Sequence, residues 1–446
     1  MICITGTERS VTALAARVDA HPDGMHELRL DALNRIDDEL WSLVARHGDR
    51  LIVCCRPPAP DRRQLLLRAQ EAGSRWIDVD DDDTDLAPFD SNRLVLSFHD
   101  HAGTGGDLIA RARSMRPRAA VVKLAIMVQD VAELQPLRQV RQAIDGEVVL
   151  IGMGTAGVVS RTHYQAFGSA WTYVAAAPEL ATAAGQLDVA SAALYGMPHS
   201  SGAPFLALVG GPQVAQSPGP QVYNRLFRER GDPYAYLALQ TASLERSLPL
   251  LEELGAIGLS VTMPLKHEAA RLATPGSDLG AVNTLRRTAG GWQATNTDVV
   301  GVSEPLALAK ASGRALILGS GGVARAAWHA CEQLGLQPTI AARSPEKATF
   351  AERVVDWDAR AATRWDVLIN GTPICNDDSP WPTNAALPPL VFDLALGRHS
   401  RLLDDARAAG ATTLEARDMW VHQGAAQLRF IIDAEVNAQE LRERLP

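Results

Sequence analysis

The sequence predicts an α/β protein in two parts: an N-terminal (β/α)8 barrel, then a second α/β region that closes on a dinucleotide-binding unit. Three observations carry this. Short β-branched runs alternate with amphipathic stretches eight times in about the first 195 residues, the pattern of a small parallel barrel. The stretch MPHSSGAPF, residues 197–205, then breaks the pattern with Pro, Gly and Ser, as linkers do. Finally, RALILGSGGVARAAW reads as strand, Gly-rich turn and helix. A length of 446 residues exceeds one ordinary core and calls for two or three domains.

In order, the barrel strands are expected at ICIT from residue 2, MHELRLD from 25, RLIVCC from 50 and RWIDVD from 75, then RLVLSF from 93, AVVKLA from 120, EVVLIG from 147 and AWTYVA from 170. Between them VTALAARV, DDELWSLVARH, RQLLLRAQEAG and AELQPLRQVRQAI space their apolar residues three and four apart, as helices do. The boundaries follow: barrel 1–197, linker 198–204, an α/β domain over 205–306 that also takes about 415–446, and the dinucleotide unit over 307–414. The acidic tract DVDDDDTD, 78–85, is expected as a solvated loop after the fourth strand.

Composition narrows the function. Against 43 basic residues stand 52 acidic ones, a net charge of −9, which excludes a nucleic-acid footprint or polybasic membrane anchor. Five cysteines without a CxxC argue against a disulfide framework or zinc site and fit a reducing cytoplasm. MICITGTERS enters a strand without a signal-peptide apolar region, and no apolar run reaches 18 residues. No metal, nucleic-acid or membrane partner is expected; the oligomeric state is not encoded.

Chemistry in a (β/α)8 barrel collects at the C-terminal strand ends. In HELRLD, period-2 alternation puts Glu27, Arg29 and Asp31 on one face and Leu28 and Leu30 on the other. Arg56 ends the third strand, His99 and Asp100 the fifth, and Lys123 lies in the otherwise apolar AVVKLAIMV. Burial beside arginines is expected to lower the Lys123 pKa and free its amine for Schiff-base chemistry; a lysine snorkelling to solvent is the alternative. His99 suits proton transfer near neutrality.

In order, HELRLD, SFHD, VVKLAIM, GMGTAGVVSRTHYQAFGSAWTY and AAGQ resemble type I 3-dehydroquinate dehydratase over nearly all of residues 1–195. The resemblance implies that Lys123 forms an imine with the substrate's C3 ketone and that His99 is the general acid/base. It implies that Glu27, Arg29 and Arg56 hold ring hydroxyls, that Arg161 and Gln186 hold the carboxylate, and that Met153 and Tyr173 line the pocket. Two positions depart from the family. Pro60 stands where a glutamate partner of the histidine is usual, and Thr182 replaces the serine of the lid segment.

In the second half, Gly319, Gly321 and Ala324 have GxGxxA spacing between strand and helix, so Gly319, Ser320, Gly321, Gly322, Val323 and Ala324 are expected to cradle a dinucleotide pyrophosphate. After the next strand, Ala342, Arg343, Ser344 and Lys347 offer cations where an acid would meet an NAD ribose. That favours the 2'-phosphate of NADP. Lys266 and Asp298 make a candidate proton-relay pair.

SVTMPLK, GAVNT, NTD and GSGGVAR resemble shikimate dehydrogenase over about residues 205–440. The resemblance implies that Lys266 and Asp298 are catalytic, that Thr262, Asn283 and Gln423 line the polyol pocket, and that Asn370 and Thr372 of NGTPIC lie on a cofactor loop. Of the serine pair that grips the carboxylate, Ser217 remains and Gly219 replaces the other; Ser260 stands for an asparagine and Leu396 for a tyrosine. Lost hydroxyls weaken anion binding by about 1 kcal/mol each and are expected to open space, making quinate an alternative substrate. The dehydratase product, 3-dehydroshikimate, is the ketone the dehydrogenase reduces to shikimate. The order matches the fused dehydratase and dehydrogenase of plants and some bacteria. A non-catalytic sensor of pathway intermediates is the remaining alternative, against which stand Lys123, Lys266 and Asp298.

Overall fold

In a computed structural model of the chain, residues 1–83, 85–103, 106–274 and 281–446 are described. They form two compact units, Met1–Leu265 and Lys266–Pro446.

The first unit begins with eight parallel strands: β1 (Ile2–Thr5), β2 (Met25–Arg29), β3 (Leu51–Cys54), β4 (Trp76–Asp80), β5 (Leu94–Asp100), β6 (Val121–Met127), β7 (Glu147–Met153) and β8 (Thr172–Ala175). Each pairs with its neighbour in sequence, and β8 returns to β1 with Cys3 opposite Tyr173. The Ala170 amide donates to the Val148 carbonyl (2.8 Å), drawing β8 towards β7. Met25, Ile52, Trp76, Val95, Val121 and Trp171 fill the barrel floor. One alternation step further along the strands, Glu27, Asp78, Ser97 and Lys123 replace them with a polar layer.

Two expectations change here. HELRLD leaves the strand at Arg29, and Leu30–Ala32 forms a 3-10 turn, so Asp31 sits on that turn and accepts from Arg29 (2.6 Å) and the Arg56 amide (3.0 Å). The acidic tract is not wholly a solvated loop. Asp78 and Asp80 lie on β4, and Asp78 is 1% exposed.

The first unit continues through β9 (Phe205–Gly210), β10 (Ala235–Gln240) and β11 (Ala256–Val261), parallel with β9 central. Residues 199–202 of the expected linker form a 3-10 turn whose Ser200 and Ser201 are buried. Packing explains why: the His163 and Phe205 rings lie 4.5 Å apart, Arg138 pairs with Glu253 (2.7 Å), and Asp130 accepts from Thr241 Oγ1 (2.9 Å) and the Ala242 amide (2.7 Å).

The second unit contains the antiparallel hairpin β12 (Thr284–Thr288) and β13 (Gly291–Thr295). It also contains a parallel sheet of β14 (Arg314–Leu318), β15 (Gln337–Ala342), β16 (Val354–Asp356), β17 (Val367–Asn370), β18 (Leu390–Asp393) and β19 (Thr412–Leu414), ordered 16-15-14-17-18-19. Alternate residues bury opposite faces: Ile317, Ile340 and Ile369 meet Trp328, while Leu316, Leu318 and Leu368 meet Trp365 and Leu402. Because β15 and β17 flank β14, the turn after β14 opens at a topological switch point, where α/β sheets bind ligands. Among the described residues no helix is long and apolar enough to cross a membrane.

Candidate active sites

In the barrel the polar layer converges on Lys123. Its Nζ lies 2.9 Å from Asp78 Oδ2, 3.7 Å from Glu27 Oε1 and 4.3 Å from the centre of the Tyr173 ring. Thr5 donates to Glu27 (2.8 Å); Ser97 (2.7 Å) and Arg56 (2.8 Å) bind the other oxygen of Asp78. The expected lowering of the Lys123 pKa is overturned. Burial does oppose the charge, but Asp78 and Glu27 outweigh it and hold the pKa above that of an ordinary lysine. Val121 and Ala125 do share its interior face, yet two carboxylates beside one ammonium dominate.

At the mouth, burial and the nearby charges of Lys123 and Arg56 push His99 down to about 2, against the pull of Asp78. His99 is therefore neutral and able to accept a proton. Its paired carboxylate is Asp80, Nδ1 to Oδ1 3.8 Å; that aspartate, missed in the sequence, is the acid nearest the histidine where Pro60 replaces the usual glutamate. Arg56 lies just beyond the end of β3 and bridges Asp78 and Asp80. Arg161, on the helix Val158–Thr162, is 2% exposed, and its Nε and Nη2 find no partner among the described residues. Burial lowers its pKa to about 10. An uncompensated buried guanidinium is costly, and a carboxylate is the ligand that satisfies its fork. Met153 and Tyr173 are buried in the interior cluster, while Thr182 N and Oγ1 both donate to Gln186 Oε1 (2.7 and 3.1 Å). Arg29 is engaged by Asp31.

The second unit assembles its own polar cluster. Lys266 opens the helix Lys266–Leu272 and its Nζ meets Asp298 Oδ2 at 2.5 Å. Asn283 Nδ2 donates to Asp298 Oδ1 (2.8 Å) and to Thr297 Oγ1 (3.0 Å), and Thr297 N returns a bond to Asn283 Oδ1 (2.8 Å). Thr297 Oγ1 reaches Gln423 Oε1 at 3.5 Å. The Asn283–Thr297 lock, unread in the sequence, fixes the carboxylate that holds the lysine.

Comparison with known proteins adds the family. The type I 3-dehydroquinase model matches residues 2–196, and the shikimate dehydrogenase substrate binding domain model matches residues 209–285. A shikimate dehydrogenase (NADP(+)) of Synechocystis sp. is 35% identical over 284 residues, covering 56% of this chain and 97% of that protein. The enzyme of the same name from Syntrophobacter fumaroxidans is 37% identical over 246 residues, covering 50% and 85%. The crystal structure of shikimate dehydrogenase from Aquifex aeolicus superposes with a TM-score of 0.50 at 27% identity, covering 54% of this chain and 97% of that one.

The chain belongs to the shikimate dehydrogenase family. Over residues 2–196 it also carries a type I 3-dehydroquinase domain.

The dinucleotide loop of the dehydrogenase fits NADP. Gly319 has φ +105° with the Gly371 carbonyl 3.0 Å from where a Cβ would stand, so only glycine suits that turn. A Cβ at Gly321 or Gly322 would meet nothing within 4 Å, leaving backbone accessible at the start of the helix Gly322–Gln333. Ser320 and Val323 lie in the same turn, and Ala324 is buried against the sheet. After β15, Ala342 is buried, and Arg343, Ser344 and Lys347 follow with both cations exposed. Asn370 takes no free role: Asp393 (2.8 Å) and the Ile374 carbonyl (3.1 Å) accept from its amide, while Thr372 donates to its oxygen (2.7 Å). It shapes the loop.

In the first unit, Ser217 Oγ accepts from the Gly219 amide at 3.1 Å, and the Thr262 amide donates to Val209 (3.0 Å). The expected extra space at Gly219 is absent. A Cβ there would lie 3.0 Å from Tyr236 Cε1 and 3.2 Å from Ser217 Oγ, and Tyr236 in turn bonds Ser260. Glycine is present because an aromatic ring fills the serine's place. Leu396 is 86% exposed.

Proposed function

We propose that the chain converts 3-dehydroquinate to 3-dehydroshikimate in the barrel and reduces that ketone to shikimate with NADPH in the dehydrogenase. The observation that carries it is the buried Lys123, ringed by Asp78 and Glu27, in a barrel that also holds an unpartnered Arg161.

After passing its proton on, the Lys123 amine attacks the C3 carbonyl, and loss of water leaves a protonated imine. Neutral His99 removes a C2 proton to give the enamine, then returns a proton to the C1 hydroxyl, which departs as water. Hydrolysis of the imine frees Lys123 and the product, so the net change is loss of one water. Arg161 and Gln186 hold the carboxylate. Glu27, Arg29 and Arg56 hold hydroxyls, and Met153, Tyr173 and Thr182 bound the pocket.

Bound NADPH supplies the hydride for the second reaction. Lys266 gives a proton to the oxygen of the reduced ketone, and Asp298, fixed by Asn283, holds the ammonium in place. Ser217, the Gly219 amide, Thr262, Asn283 and Gln423 bind substrate; residues 319–324, Ala342 to Ser344, Lys347, Asn370 and Thr372 serve the cofactor. Tyr236 against Gly219 removes the added room on which quinate use depended, so shikimate is the favoured polyol.

Supplying 3-dehydroquinate and NADPH and following nicotinamide absorbance with product identification tests both steps. Borohydride with dehydroquinate is expected to add the ligand mass at Lys123 and not in Lys123→Ala. A wild type that forms no adduct sinks the imine assignment.

A further inference from the structure

We infer that Asp80 is the positioning residue of His99, accepting a hydrogen bond from its Nδ1–H once substrate draws Arg56 away. This rests on the dehydratase reading above. The starting point is a shared oxygen. Asp80 Oδ1 is bound by Arg56 Nη1 and also faces His99 Nδ1, at 3.8 Å, too far for a hydrogen bond. Its other oxygen receives Arg62 Nη1 at 3.4 Å, and Arg62 is itself anchored by Asp83. The carboxylate is thus held from behind while one oxygen is divided between an arginine and the catalytic histidine.

Arg56 is the movable member of the three. Asp80 and His99 are fixed on adjacent strands β4 and β5, whereas Arg56 lies in the segment after β3. Its guanidinium faces the barrel mouth, where the substrate's hydroxyls must arrive. His99 is faced by Lys123 and Arg56 as cations and by Asp78 and Asp80 as carboxylates, with the His101 ring stacked at 6.2 Å. In that setting the ring is held neutral with a pKa of about 2, fit to receive a proton but poorly able to keep one until the C1 hydroxyl leaves. When substrate oxygens engage Arg56, a cation is neutralised beside His99 and Asp80 Oδ1 loses its competitor. A closure of about 1 Å completes the Nδ1–H bond. That bond fixes the tautomer with Nε2 as the base and stabilises the imidazolium between the two proton transfers.

The full chain tests this as Asp80→Asn and Asp80→Glu, with dehydration of 3-dehydroquinate measured across pH and imine trapping by borohydride in parallel. Asparagine is expected to keep the Lys123 adduct and KM while kcat falls at least ~10-fold, part of the ~100- to 10,000-fold that general acid/base catalysis supplies. The histidine limb of its kcat profile moves to lower pH, and glutamate, which restores the charge, recovers most of the loss. Asparagine with wild-type kcat and pH profile, or glutamate no better than asparagine, overturns the inference. A wild type that neither forms the adduct nor turns over overturns the dehydratase reading instead. Should Asp80→Asn not fold, 15N-histidine labelling of the wild type decides. A hydrogen-bonded Nδ1 proton on His99 in the reduced adduct and not in the free protein upholds the role, and its absence from the adduct overturns it.

Discussion

Asp78→Asn is the most informative single change in the barrel. It preserves volume and hydrogen-bonding shape but removes the charge that Lys123, Arg56 and Ser97 all address. Breaking a buried ion pair by deleting one partner costs about 3–5 kcal/mol. Glu27, 3.7 Å from Lys123, keeps part of the attraction, and Lys123 sheds strain by losing its proton, so the expected cost is about 3 kcal/mol. Its pH dependence has a fixed sign. Burial alone raises the Asp78 pKa, but Arg56, Lys123 and His99 with the Ser97 hydroxyl hold it well below the usual carboxylate range. Such a group stabilises the fold above its unfolded pKa of about 3.9 and loses that contribution as pH falls through the folded value. The gap between wild type and variant is therefore full at neutral pH and closes only under strong acid. Urea unfolding followed by Trp76 and Trp171, whose rings sit 6.0 Å apart in the barrel interior, reads the stability. The pH dependence of borohydride trapping reads the amine, with its inflection moving to lower pH in the variant because burial then acts on Lys123 almost unopposed. An unchanged urea midpoint together with an unchanged trapping profile would refute this account of the lysine.

Arg161→Met replaces a buried, unpartnered guanidinium with an apolar chain of similar length; the free protein is expected to gain about 1–2 kcal/mol in urea unfolding while dehydratase KM rises at least ~100-fold, since a bidentate carboxylate contact is lost. Gly219→Ser is expected to destabilise by about 1–3 kcal/mol through overpacking on Tyr236, without improving shikimate KM; a gain in both stability and affinity contradicts the packing argument. Asp298→Asn loosens Lys266 and is expected to lower kcat for shikimate oxidation ~100-fold with little change in NADP affinity, checked by steady-state kinetics and cofactor titration.

Much of this was legible because chemistry and periodicity coincide. A lone lysine in AVVKLAIMV, two residues from apolar partners on the same face, announces an interior charge, and GSGGVAR between strand and helix announces a phosphate turn. What escaped was tertiary. Asp78 and Asp80 begin a run of acids that looks solvated in one dimension, yet β4 alternation turns both inward to meet Arg56 from β3 and Lys123 from β6. The Lys123 pKa followed the same error: counting arginines along the chain missed the carboxylates across the barrel. Gly219 misled similarly, since a missing side chain reads as space until Tyr236, seventeen positions on in sequence, is seen to occupy it.

The two lysines then show how one pairing serves opposite demands. Lys123 must surrender a proton to become a nucleophile, and Lys266 must deliver one to a developing alkoxide. Each is held by an aspartate, at 2.9 Å and 2.5 Å, so the ion pair itself does not distinguish them. Their surroundings do. The side chain of Lys123 is 6% exposed, with apolar Val121 and Ala125 beside it, so any neutralisation of Asp78 or Glu27 tips the balance towards free amine. The side chain of Lys266 is 18% exposed and its aspartate is locked by Asn283, which leaves the ammonium in contact with solvent as a proton source. Burial depth, more than residue identity, assigns nucleophile to one lysine and acid to the other.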